Sequence, residues 1–313
     1  MRLIITFFMI AIGFSAFGEQ EQFSREETEK DIQFHYVWRD ANDAQKSLEF
    51  SIDKQLLHDQ FQTIKSYKQD IAQRYIYIAL QKAAMKVSPK EARIKIKKLT
   101  NNINISVKAN SSEKQRFWLN NMHTAKEAAF DAYLQENYYN RYQSPTGQQG
   151  VKPDHIRFVK DNRVFLLPIA QAIYDRLEKD SSTRAYVNLL LGWLQSIPYD
   201  PLEDRLTSNG SGFLPPAQVI TGNLGDCDSK TVLAASLMRS LLPNLSMVII
   251  YLPNHALLGA ALPHREDEKF INLDGLDYLL MEPTGPALFV AGEVAPSSEH
   301  MIDSGMFTYE KVP

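Results

Sequence analysis

The 313-residue chain contains one cysteine, Cys227. It stands in Gly225-Asp226-Cys227-Asp228, directly before an apolar-periodic run made by Val232, Leu233, Leu237, Met238, Leu241 and Leu242. A thiol in the first turn of a helix faces unpaired backbone N–H groups and the positive end of the helix dipole, and both favour the thiolate, the nucleophilic form. Asp226 and Asp228 oppose that shift, although as first-turn acids they help the helix to start. A thiolate in this setting needs a base or cationic partner. His255, 28 residues on, stands between the apolar runs "MVIIYLPN" and "ALLGAAL". That spacing leaves room for a helix and a strand, so the helix N-terminus can pack against the strand that carries the imidazole. A third group should orient the imidazole and favour its protonated form. Glu282, 27 residues further, ends the arm "LDYLLM" and is followed by Pro-Thr-Gly. Asp274 and Asp277 are rivals, but Asp274 reads as a hairpin turn and Asp277 as a solvent-facing strand position.

The elements that must hold these groups follow from periodicity. "LSMVIIYLPN", "HALLGAALP" and "KFINLDGLDYLLMEPTG" read as strands, with Asp274-Gly275 as a hairpin turn between alternating arms. Residues 165–179 and 183–196 read as helices. Between them and Cys227 lies a long Pro-, Gly- and Asn-rich connection over residues 196–223. Unstructured stretches of that length are uncommon inside a domain and are often functional.

Further upstream, residues 31–53 alternate around Asp40–Asp43 and predict a hairpin. Residues 53–87 predict one long helix, with Leu57, Phe61, Ile64, Ile71 and Ile78 at helical spacing. Residues 92–110 predict a second hairpin turning at Asn101-Asn102, and residues 111–140 another helix. "QSPTGQQGVKP", residues 143–153, loses all periodicity and reads as a linker. The expected fold class is α+β: a cysteine-bearing helix packed on a small antiparallel sheet, preceded by a separate α+β N-terminal module. The domains are placed at residues 19–145 and 150–313. His35, His58 and His123 lie far apart in the first of these and read as structural or surface histidines. No metal or cofactor is expected.

The first residues, "MRLIITFFMIAIGFSAFGEQEQ", combine Arg2, an apolar run over residues 3–14 and the small residues Ala16 and Gly18. This predicts a cleaved signal peptide over residues 1–18 and a periplasmic or secreted protein. The apolar run is shorter than the ~20 residues a membrane span needs, and no later segment is long and apolar enough to span. No stable membrane span is therefore expected after removal of the signal. In an oxidising compartment cysteines usually pair, so a lone one is a buried small hydrophobe, an intermolecular link or a reactive thiol. The balance of 34 Lys and Arg against 37 Asp and Glu, with no basic stripe, argues against a nucleic-acid partner.

Taken in order, the motifs resemble the transglutaminase-like branch of papain-related cysteine enzymes, especially its bacterial exported members. The matching residues are Gly225-Asp226-Cys227-Asp228, His255-Ala256, and Glu282-Pro283-Thr284 in place of the Asp-Pro-Thr ending common in the family. "SIPYD" and "FLPPAQVITGNLGDCDSK" look like the approach to the cysteine in those members. The resemblance covers residues 189–294. It implies a transglutaminase-like, papain-like core and a triad with Cys227 as nucleophile, His255 as general base and acid, and Glu282 orienting the imidazole. It implies oxyanion stabilisation partly by the Cys227 backbone N–H, with Gln218 and Tyr199 as candidates for a second donor. The implied activity is a cysteine peptidase or amidase acting on a protein or peptide through a thioester. The alternatives are acyl transfer to an amine, or a catalytically silent protein- or peptide-binding member.

Overall fold

The computed structural model describes residues 20–60, 64–100, 102–203 and 211–313. The expected signal peptide over residues 1–18, Phe61 and Asn101 lie outside the described residues.

The alternating stretch after residue 30 forms two strands of a three-stranded antiparallel sheet, ordered β1 (Gln20–Glu27), β2 (Asp31–Arg39), β3 (Gln45–Asp53). Ile32, Phe34, Tyr36 and Trp38 of β2 and Leu48, Phe50 and Ile52 of β3 are buried on one face. That is the period-two pattern of a sheet covered on one side. β1 contains no fully buried residue, so it carries no alternation to read in advance.

The single helix expected over residues 53–87 is two helices, α1 (Lys54–Gln60) and α2 (Gln69–Met85), with residues 64–68 non-helical between them. The apolar residues divide between two cores. Leu57 and Ile64 pack into the main one. Ile76 and Leu80 pack with Ile96, Ile103 and Ala129 in a second. That second core is closed by the expected hairpin, β4 (Ala92–Lys98) and β5 (Ile103–Ala109), and by α3 (Ser112–Glu136), whose cap Ser111 accepts from the Lys114 N–H.

The stretch read as a linker is ordered as a hairpin, β6 (Tyr139–Gln143) and β7 (Gln149–Pro153), closed by Gly147 at φ 83°. The next helix starts ten residues before the expected position, at α4 (His155–Tyr174), because the Asp154 side chain caps it by accepting from the Arg157 N–H. Then follow α5 (Thr183–Ser196), α6 (Pro216–Gly222) inside the expected long connection, and α7 (Cys227–Leu241). The remaining elements are β8 (Met247–Leu252), β9 (His255–Ala260), β10 (Phe270–Leu273), β11 (Leu276–Met281), α8 (Pro296–Asp303) and β12 (Thr308–Val312). The five strands form one antiparallel sheet in the order β10-β11-β9-β8-β12.

The architecture is mixed α+β, with a cysteine-bearing helix against a small antiparallel sheet. α7 lies between α4 and strands β8 and β9, and every residue from Ser229 to Arg239 is buried. A helix buried all round must pair its polar groups inside the protein: the Thr231 hydroxyl donates to Ala256 O, Ser236 to Val232 O, and Arg239 to the carbonyls of Pro243 and Val312, which leaves Arg239 Nε without a partner. One hydrophobic cluster runs from Tyr36, Trp38 and Phe50 through Trp193 to Leu233 and Leu258. The Tyr36 and Trp193 rings meet edge to face at 5.3 Å, and the Tyr36 hydroxyl donates to Ile220 O. Among the described residues no helix is long and apolar enough to cross a membrane.

Candidate active site

Cys227 is the first residue of α7. Asp226 caps the helix, its carboxylate accepting from the Ser229 N–H at 2.9 Å, as its place before the apolar run predicts. The approach is clamped from a second segment: Gly225 N donates to Pro198 O and Asp200 N donates to Gly225 O. That clamp sets Tyr199 beside the cysteine turn, half exposed, with its phenol pushed up by burial and then by the Cys227 sulfur. Gln218, the other candidate oxyanion donor, lies on α6.

His255 opens β9 directly after the two-residue turn Pro253-Asn254, opposite Leu252. β9 also pairs with β11, with Met281 opposite Leu258. Continuing that register by one residue puts Glu282 opposite Leu257. His255, two positions from Leu257, therefore shares its face. The result is a hydrogen bond between His255 Nε2 and Glu282 Oε1 at 2.9 Å. The second oxygen, Oε2, accepts from the Ala295 N–H at 2.8 Å, so both carboxylate oxygens are held. The Glu282 backbone is fixed from α5, where Gln195 Nε2 donates to Glu282 O at 2.8 Å and to Phe289 O at 2.9 Å. Glu282 is buried, and His255 opens onto a cavity of about 300 Å³ lined also by Leu252, Pro253, Asn254 and Met301.

The structure thus brings His255 and Glu282 together and places Cys227 at the edge of the same strand. The backbone amide of Ala256, the residue after His255, reaches the sulfur and lowers the thiol pKa. Among the described residues no hydrogen bond joins Sγ to the imidazole. The thiol donates instead to Asp228 Oδ1 at 3.6 Å. Burial first, then Asp228 and Asp226, push the Cys227 thiol well above its ordinary range. This corrects the expectation of a resting thiolate. Packing of α7 into the core partly desolvates the sulfur, which stays half-buried at the helix start, and the two flanking acids outweigh the helix N-terminus. Burial and Asp228 also hold the Asp226 carboxyl up at about 7, and burial brings Lys230, whose ammonium donates to Ile197 O, down to about 7.

The rivals fall elsewhere. Asp277 bonds His264 Nε2 at 3.3 Å and Asn272 Nδ2 at 2.7 Å on the surface. Asp274 is a turn residue, at φ 55° before Gly275 at 82°, and pairs with Lys311. His35 makes a surface contact with Glu49. One buried residue near the cysteine carried no chemical signal in the sequence: His155, the first residue of α4, fully enclosed, with Nε2 3.7 Å from Asp228 Oδ2. Pro153-Asp154 before an apolar run was the cap signal that would have placed it.

In comparisons with protein-family models, with curated proteins and with solved structures, nothing matches this chain.

Proposed function

We propose that this protein is an exported thiol-dependent amide hydrolase, a cysteine peptidase or amidase with a transglutaminase-like, papain-related core. The observation that carries the reading is the 2.9 Å bond between His255 Nε2 and Glu282 Oε1, on the strand whose edge receives the cysteine at a helix N-terminus. A carboxylate on one ring nitrogen fixes the tautomer and leaves Nδ1 for the thiol proton. Because the resting sulfur is a thiol, proton transfer to His255 accompanies attack rather than preceding it, and the sulfur turns from Asp228 towards the imidazole.

In the acylation step Sγ bonds to the amide carbon of a protein or peptide and the thiol proton passes to His255. The carbonyl oxygen becomes an oxyanion facing the Cys227 N–H, a first-turn donor outside the helix ladder. Collapse breaks the C–N bond, and the imidazolium gives its proton to the leaving amine. Water, deprotonated by His255, then attacks the thioester and releases acid and thiol. Tyr199 is the better placed of the two candidates for a second oxyanion donor.

The test is labelling with an acyl-electrophile activity probe, followed by mass spectrometry. The folded wild type should be labelled at Cys227, while the denatured protein and Cys227→Ala should not. Equal labelling of native and denatured protein would reduce Cys227 to a passive thiol. Incorporation of an added amine in place of water would make the protein an acyltransferase with the same residues.

A further inference from the structure

A second polar arm, separate from the His255–Glu282 pair, reaches the cysteine through Asp228. Cys227 S–H donates to Asp228 Oδ1 at 3.6 Å, and Asp228 Oδ2 faces His155 Nε2 at 3.7 Å. His155 Nδ1 lies 3.1 Å from the Tyr251 hydroxyl. Tyr251 donates to Glu310 Oε2 at 2.8 Å, and Lys152 Nζ donates to both Tyr251 OH at 3.1 Å and Glu310 Oε2 at 2.8 Å.

The protons in this chain can be placed by elimination. An ammonium only donates and a carboxylate only accepts. The Tyr251 proton therefore goes to Glu310, and the Tyr251 oxygen accepts from Lys152. Its other neighbour, His155 Nδ1, must then carry a hydrogen and donate as well. The ring is fully enclosed and shares the Tyr251 hydroxyl with the Lys152 ammonium, so a second cation there is disfavoured; His155 is neutral and its Nε2 is left with a lone pair. That atom is buried and has no hydrogen-bond partner, and it points at a carboxyl oxygen. The Asp228 side chain is 33% exposed, but at 3.7 Å no water fits between the two atoms, and two lone pairs facing each other there are unfavourable unless a proton lies between them.

We propose that His155 holds Asp228 protonated in the resting protein, so that the residue after the nucleophile is a neutral carboxylic acid, its O–H directed at His155 Nε2 and its carbonyl oxygen accepting the Cys227 S–H. His155 is then a positioning residue, acting on the sulfur through Asp228. A neutral acid leaves the thiol free to pass its proton to His255, whereas a carboxylate in that place would oppose ionisation of the sulfur. The electrostatics agree in direction. Burial raises the Asp228 carboxyl, and burial first, then Lys152, keep His155 neutral. The charged and titratable groups facing Asp228 are Asp226 on its own turn, Lys152 from β7, His255 from β9, and the phenols of Tyr142, Tyr199 and Tyr251.

The proposal rests on Cys227 as the nucleophile for its role, but not for its proton, so the two can fail separately. Infrared difference spectra of wild type against Asp228→Asn at neutral pH should contain a carboxylic-acid carbonyl band that shifts on deuteration. The same spectra against Asp226→Asn separate the neighbouring acid. Absence of a band assigned to Asp228 overturns the proposal, whatever the enzyme does. The role is read from iodoacetamide alkylation of the full chain at neutral pH. His155→Leu removes the acceptor and should slow alkylation at least tenfold. His155→Gln, whose amide can donate to Tyr251 and accept from Asp228, should restore most of the rate. So should the double variant His155→Leu/Asp228→Asn, which has no carboxylate to oppose the sulfur. A double variant as slow as His155→Leu would overturn the role. If His155→Leu does not fold, the infrared result on wild type and Asp228→Asn decides by itself.

Discussion

His255 Nε2 and Glu282 Oε1 lie 2.9 Å apart, on one face of two neighbouring strands, with the other Glu282 oxygen tied to the Ala295 N–H. The carboxylate is therefore fixed in position before any substrate arrives, and its reach is set by the strand register rather than by the extra methylene that distinguishes Glu from Asp.

Glu282→Gln retains size and most hydrogen bonds but removes the charge that enforces the imidazole tautomer and stabilises the imidazolium. Acylation of Cys227 by an amide substrate or activity probe should fall on the order of 10³-fold or more, with a near-native denaturant melt. Asp277→Asn touches only the surface partners His264 and Asn272 and should leave the acylation rate within about twofold of wild type. The reverse outcome, a dead Asp277→Asn and an active Glu282→Gln in folded proteins, would remove Glu282 from the site.

The thiol itself should titrate late. Burial, the hydrogen bond from S–H to Asp228 and the Asp226 charge all raise it, so the midpoint of alkylation rate against pH should lie above the ~8.5 of a free cysteine. Asp226→Asn removes that charge and keeps a good helix cap, because Asn serves that position as well as Asp. Its midpoint should fall relative to wild type. A wild-type midpoint below the free-thiol value would restore the resting ion pair and overturn the upward shift of the thiol.

Much of this arrangement was legible before the structure. The alternation of β2 and β3, the continuous apolar run of β8, the Asp274-Gly275 turn, the limits of α5 and the start of α7 all come from local rules of period, turn and cap. The His255–Glu282 pairing was legible because a hairpin separates the two residues in sequence. What was not legible depends on packing between distant segments. The break between α1 and α2 exists because one apolar periodicity serves two cores. β6 and β7 are mostly polar, and their pairing rather than any alternation orders them. His155 meets Asp228 only through the packing of α4 on α7, more than seventy residues apart. The protonated state of the sulfur has the same origin: the helix-start rule acts within one turn, and the desolvation comes from everything around it.

Gly285 has a specific reason to lack a side chain. A Cβ there would overlap the Gln195 backbone carbonyl, and Gln195 also holds Glu282 O through its side chain. Gly285→Ala should cost about 1–3 kcal/mol by overpacking and should slow acylation by disturbing the Glu282 backbone. Gly150→Ala, in β7 with nothing within 4 Å of the added carbon, is the control and should change neither. Denaturant melts and probe labelling of the two variants check this. An unaffected Gly285→Ala would mean that the loop after Glu282 shifts freely and does not position the acid.

Asp226 and Lys230 give stability a distinctive pH dependence. Both are buried on the first turns of α7, with the acid raised to about 7 and the lysine lowered to about 7. Between about pH 4 and 7 the native Asp226 holds a proton that the unfolded chain has released, so its contribution to stability falls as pH rises. Between about pH 7 and 10.4 the unfolded Lys230 holds a proton that the native chain lacks, so its contribution rises with pH. Together they place a minimum near neutrality, with limbs of at most about 1.4 kcal/mol per pH unit. Denaturant melts across this range should show each limb as a difference from the matching variant. Asp226→Asn should remove the falling limb, and Lys230→Met, which keeps the aliphatic stem in the core, should remove the rising one. A wild type minus Lys230→Met difference that stays flat above neutral pH would mean that the buried lysine keeps its charge, and that the Ile197 carbonyl together with Asp226 compensates its desolvation in full.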